Sequence, residues 1–229
     1  MTDGARLESF RLADSFLPVG TYTASYGLEQ FVQENRVEDA DDLRALLSTY
    51  LKQQVGPCEL VALRAAHTAA RDGDFDAVCR ADRRLTAATL SKEFRKSARQ
   101  SGNRLLSLQR ELRESPLLDE YAEAVDAGDA TGNYAVVLGV AAASADIDAS
   151  EACLLCCHGF VTGLVGAAQR VLSLGHTDAQ RILHDLQPVM TEAAADSADR
   201  GIDEMSPFAP LIDVLSANHE RADRRLFMS

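Results

Sequence analysis

The feature that most constrains this chain is a helical hydrophobic period that persists almost from end to end. From Asp39 onward, Leu43, Leu46, Leu47, Tyr50 and Leu51 recur at i, i+3, i+4, i+7 and i+8, which lays one apolar stripe along a helix. Phe208, Leu211, Ile212 and Leu215 repeat that spacing near the end. Between them the chain is rich in Ala, Leu, Arg and Glu, all good helix formers. No stretch sustains period-two alternation through β-branched residues, so the sequence predicts no sheet.

Turn chemistry divides this pattern into elements. Gly56-Pro57 is expected to end one helix and open the next, since glycine suits a left-handed C-cap and proline the first helical turn. Gly73-Asp74 pairs a closing glycine with an N-cap. Ser115-Pro116 and Ser206-Pro207 each offer a side-chain cap followed by proline. Thr177-Asp178-Ala179-Gln180, directly after Gly175, fits a capping box. Neither a Gly/Ser-rich nor a Pro-rich linker interrupts the series, and no repeat period stands out. The expectation is an all-α fold: a single compact helical bundle of about ten helices spanning residues 1–229.

With 229 residues such a bundle can bury about 70–75% of the surface its unfolded chain exposes, so it needs no staples. The cysteines agree: Cys58, Cys79, Cys153, Cys156 and Cys157 are odd in number and lack disulfide-framework spacing, which fits a reducing compartment. The opening residues show no apolar core of a signal peptide, and a cytoplasmic location is expected. The longest apolar stretch, Ala152 to Leu174, is interrupted by His158, Gln169, Arg170 and glycines, and reads as a buried helix rather than a membrane span. The formal charge is −12, from 35 acids against 23 bases, the opposite of a nucleic-acid footprint.

A search for chemistry finds little. The histidines His67, His158, His176, His184 and His219 lie far apart, with no paired-histidine zinc motif despite His219-Glu220. Gly20 and Gly27 flank a helix start but lack the Lys and Ser/Thr of a phosphate-cradling loop. Cys153, Cys156 and Cys157 share a helix face beside His158, a donor set that would suit nickel or zinc. Their apolar setting favours plain burial instead. A small-enzyme alternative would assemble His158, Glu93 and Cys157 in space. Residues 80–113 carry ten bases and three acids, either a solvated face paired to acidic helices or a docking surface for an acidic partner. No catalytic, cofactor or metal residue is assigned.

Four segments together resemble the UreF family of urease accessory proteins. They are Leu12 through Gly20 to Glu29, Ser91 to Leu105, Leu174 to Arg181, and His219-Glu220 with Arg225-Leu226-Phe227-Met228-Ser229. Two departures stand out: Ala24 and Asn133 occupy positions where members of the family often carry histidine, or at the first an aromatic. The resemblance implies an all-α homodimer without an active site or cofactor of its own. It also implies assembly with UreD (also called UreH) and the GTPase UreG on apo-urease, to load nickel, with neither nucleic acid nor membrane as partner. Candidate partner contacts are Tyr22, Glu29, Arg95, Arg225, Leu226, Phe227 and Ser229. Tyr22 is an aromatic in a glycine-flanked turn, and Arg225-Leu226-Phe227 sets an apolar pair and a cation in a tail, 221–229, expected to order on binding.

Overall fold

The computed structural model describes residues 2–14, 16–20 and 26–219, and every regular element among them is helical. The α-helices are α1 (Asp3–Ala13), α2 (Leu28–Gln33), α3 (Ala40–Tyr50), α4 (Val61–Asp72), α5 (Phe75–Ala88), α6 (Lys92–Leu112), α7 (Pro116–Ala127), α8 (Tyr134–Ser144), α9 (Ala149–Val171), α10 (His176–Asp185), α11 (Gln187–Asp196) and α12 (Pro210–His219). A π-helix, Leu51–Leu60, joins α3 to α4 without a break, so Ala40 to Asp72 is one rod. α10 and α11 likewise share Leu186 as a common cap. Taken as single units, these leave the ten helices the sequence pattern suggested.

Asp39, where the apolar stripe begins, caps α3 by accepting from the amides of Asp41 and Asp42. Two boundaries fall where turn chemistry placed them. Gly73 closes α4 at φ 69°, and Asp74 then caps α5 through the Ala77 amide. Ser115 caps α7, with Pro116 at its first position.

Three boundaries fell elsewhere. Gly56-Pro57 ends nothing: the wider π-turn carries the rod through it. The Gln53 carbonyl, which residue 57 would bond in an α-helix, accepts instead from the Phe208 amide at 2.9 Å. Ser206-Pro207 starts no helix, because the Ser206 and Phe208 amides pair with the rod at Pro57 and Gln53, and α12 begins only at Pro210. That pairing holds the Phe208 side chain outward, so Phe208 and Leu211 are exposed while Ile212 and Leu215 are buried. Thr177–Gln180 forms no capping box either. α10 starts at His176 with Gly175 as an N-cap lacking a side chain, and Asp178 pairs with Arg181 at 3.0 Å.

One contiguous buried cluster runs from Ala5 to Leu215. At its centre lies α8, apolar all round, with Ala135 through Ala143 buried. It crosses α4 at Gly139, where an added Cβ would meet the Leu63 carbonyl oxygen at 2.4 Å. α9 is long and apolar enough to cross a membrane by length and composition. In the fold it is the expected core helix, burying Cys153, Cys156, Cys157, Val161 and Leu164 against its neighbours. Arg64 ties three helices together from α4, donating to Ser197 Oγ at 2.8 Å, the Ala194 carbonyl at 2.7 Å and Ser150 Oγ at 3.4 Å.

The turn into α8 is held by a buried acid on α5. Asp82 accepts from the amides of Thr131, Gly132 and Asn133 and from the Asn133 side-chain nitrogen, at 2.6 to 3.0 Å. That places Asn133 and Tyr134 where they line the cavity described next.

Candidate functional site

Segments far apart in sequence converge where the π-helix meets α2, α6, α9 and α12. The Tyr26 ring lies 4.9 Å from Phe94 of α6 and 5.2 Å from Phe160 of α9, centroid to centroid. Phe160 in turn contacts Tyr50 at 5.5 Å, and the Tyr50 hydroxyl donates to the Tyr26 carbonyl. A Cβ on Gly27 would meet Ser216 Oγ of α12 at 2.9 Å, and one on Gly20 would collide with the Arg104 guanidinium of α6. The described parts of the stretches 12–29 and 91–105 are thus packed together beside α12. The remaining stretch, 174–181, belongs mostly to α10 and packs on α3 instead.

Two cavities open around this junction. The first, about 750 Å³ including its mouth, is walled by Tyr26, Glu59, Phe94, Tyr134, Cys156 and Phe160 among others. The second, about 870 Å³, takes in Gln54, Cys58, Arg84, Met205 and Asp213. Glu59, on the π-helix, lines both. Its Oε2 and the Gln54 Oε1 are buried without a hydrogen-bond partner. Burial pushes the Glu59 carboxyl up to about 7, against a hydrogen bond from Gln54 that favours its charged form. Burial likewise raises the Tyr26 and Tyr134 hydroxyls and the Asp213 carboxyl. It also raises the Cys153 and Cys156 thiols, and takes Cys157 up to about 12. Thiols held in that state are poor nucleophiles and ligands at neutral pH.

His158, Glu93 and Cys157 are not brought together on either cavity wall. Cys157 is buried on the inner face of α9, whereas His158 next to it is exposed and Glu93 is buried in the first turn of α6. Although its side chain reaches solvent, the partial burial of the ring lowers His158 from its ordinary value. Among the described residues no group of three or more His, Cys, Asp or Glu side chains is placed to hold a metal ion.

Of the candidate partner residues, Tyr22, Arg225, Leu226, Phe227 and Ser229 lie outside the described residues. Glu29 sits in the first turn of α2, 4% exposed, where it accepts from Gln33 Nε2 at 3.2 Å. Arg95 donates to the carbonyls of Thr89 and Leu90 at 2.6 and 2.7 Å, closing the turn from α5 into α6. Both therefore help build the junction.

The basic window divides in two. Arg110 pairs with Asp119 and Arg113 with Glu8, each at 2.8 Å, and Arg80 with Asp74 at 3.6 Å. Lys92, Lys96 and Arg99 are exposed on α6 and take part in none of these pairs. Exposed large apolar side chains include Leu7 and Phe10 on α1, and Leu211 and Val214 on α12 with Phe208 just before it. Sequence reasoning missed Glu59, Asp82 and Arg64. For Glu59 a signal existed: a Gly-Pro pair inside an unbroken helical pattern marks the kind of widened turn that gathers at functional sites.

The class defined by this fold and junction is an all-helical bundle built around a π-interrupted central rod. The chain belongs to the UreF family, whose model matches residues 37–187. Relatives extend the match over nearly the whole length. The urease accessory protein UreF 1 of Brucella melitensis biotype 1 is 32% identical over 223 residues, covering 97% of this chain and 92% of its own. The urease accessory protein UreF of Trichodesmium erythraeum is 31% identical over 226 residues, covering 97% and 96%. That of Yersinia enterocolitica is 34% identical over 218 residues, covering 95% of each.

Proposed function

We propose that this chain is the adaptor in nickel loading of urease. In that role it bridges UreD (UreH) and the GTPase UreG on apo-urease, works as a cytoplasmic homodimer, and promotes GTP-dependent assembly of the nickel centre without a reaction of its own. The observation that carries this reading is the end-to-end similarity to proteins named urease accessory protein. The surface supports it. Exposed Leu7 and Phe10 on α1, and Phe208, Leu211 and Val214 along α12, are apolar groups of the kind protein partners cover. Lys92, Lys96 and Arg99 offer cations to an acidic partner.

The test is reconstitution: apo-urease, nickel, GTP, UreD and UreG, with and without this chain. Activation that depends on the chain supports the adaptor role, and equal activation without it overturns the role. Deleting residues 221–229, which carry Arg225, Leu226 and Phe227, should leave helical content intact and abolish capture of UreD in a pull-down. Capture at full-length affinity would remove the tail from the interface.

A further inference from the structure

The aromatic cavity at the junction has a chemistry that the adaptor reading does not use. Four of its side chains, Tyr26, Phe94, Tyr134 and Phe160, are aromatic. The ionisable groups on its wall are Tyr26, Glu59, Tyr134 and Cys156, and burial holds the two phenols and the thiol in their neutral forms near pH 7. Glu59 alone on that wall changes charge in the physiological range. Its Oε2 is buried and accepts no hydrogen bond from the protein, an arrangement that costs several kcal/mol when the group is ionised.

Charges beyond the wall do not supply the missing partner. Arg84 and Asp213 face Glu59 across the second cavity. The Arg84 Nε donates to the Ile202 carbonyl at 3.3 Å, and Asp213 has the same sign as Glu59. Gln54 and Cys58 flank Glu59 on its own π-helix. Burial keeps the Cys58 thiol protonated, and the Gln54 hydrogen bond to the Glu59 carboxyl leaves Oε2 without a partner.

We propose that this cavity binds a small organic ammonium ion, with its charge against Glu59 and its carbon skeleton among the rings of Tyr26, Phe94, Tyr134 and Phe160. Aromatic faces attract such cations by about 0.5–2 kcal/mol, and more as water is excluded. A carboxylate accepts ammonium donors in strong, short hydrogen bonds. The ligand carries one positive charge because the wall offers one negative one. A hard divalent ion would find one carboxyl where it wants six or more oxygen ligands. An anion would be repelled by the ionised Glu59 carboxylate. The acidic surface of the protein, −12 in formal charge, raises the local concentration of cations. This inference is independent of any role in urease maturation.

The ion and a proton compete for Glu59. Affinity should therefore rise about fivefold from pH 6 to pH 7, about tenfold by pH 8, and level off above that. The experiment titrates the full chain with n-propylammonium chloride at matched ionic strength, followed by calorimetry and by NMR of the aromatic side chains, with propionamide as the uncharged control. The expected result is saturable one-site binding that shifts the Tyr26 and Phe94 resonances, with proton release at about pH 6 and little at about pH 8.5. Glu59→Gln should weaken binding about tenfold or more. Phe94→Leu, which keeps the carboxyl, should weaken it about threefold and serves if Glu59→Gln does not fold. The proposal is overturned if wild type shows no saturable shift into the tens of millimolar, if propionamide binds equally well, or if Glu59→Gln binds like wild type.

Discussion

Asp82→Ala asks how the central helix is anchored, and the structure gives its size. Asp82 is fully buried. Its Oδ2 accepts from the amides of Thr131 at 2.6 Å and Gly132 at 2.8 Å. Its Oδ1 accepts from the Asn133 amide at 3.0 Å and from Asn133 Nδ2 at 2.6 Å. Asn133 is the N-cap of α8, but its side chain makes no cap bond to that helix, so α5 organises the turn instead. Removing the carboxyl orphans buried amides, each worth about 1–3 kcal/mol. Relief from keeping an acid buried offsets part of this, and the net loss should be about 3–5 kcal/mol, as for other buried networks broken on one side. Asp82→Asn keeps one acceptor but turns an NH₂ group toward donors, and should lose about 2–3 kcal/mol. Equilibrium urea unfolding measures both. Native-state hydrogen exchange should show residues 131–133 losing protection first. A loss within about 1 kcal/mol for Asp82→Ala would refute the reasoning, since it would mean that these amides find other partners without strain.

Two further outcomes follow from single positions. Gly139→Ala puts a methyl 2.4 Å from the Leu63 carbonyl oxygen and 3.3 Å from the His67 nitrogen, so α4 and α8 must separate. The gain in helix propensity, about 1 kcal/mol, should not offset this, and a net loss of about 2 kcal/mol should appear as a lower thermal midpoint. Glu59 sets a pH dependence. Its folded carboxyl titrates at about 7 against an ordinary 4.5, so the native state holds a proton the unfolded chain has released. The associated stability is complete below about pH 4.5 and is lost as pH rises through about 7, a fall of about 2–3 kcal/mol. Glu59→Gln should flatten that fall between urea midpoints at about pH 5 and pH 8. Parallel slopes for the two proteins would show that another group is responsible.

What was legible in the sequence was what neighbouring residues decide among themselves. Gly73-Asp74 and Ser115-Pro116 place helix ends because each cap bonds within its own turn. The cysteine run was legible as core because apolar residues surround it on the same helix. Gly56-Pro57 was misread because its outcome is not local. A Cβ on Gly56 would stand 3.3 Å from Ala193 Cβ of α11, and the Gln53 carbonyl finds its donor in Phe208, 155 residues along the chain. Once that pairing exists, the rod need not break, Ser206-Pro207 cannot begin a helix, and Phe208 must face outward. The same seam carries Glu59 on to the walls of both cavities. Family likeness pointed to the stretches holding Tyr26 and Phe94 but not to the acid between them. No spacing rule marks a lone glutamate in a helical stretch as buried. A proline that withholds one amide therefore accounts for both the misplaced boundary and the overlooked site, because the backbone that answers it belongs to a distant part of the chain.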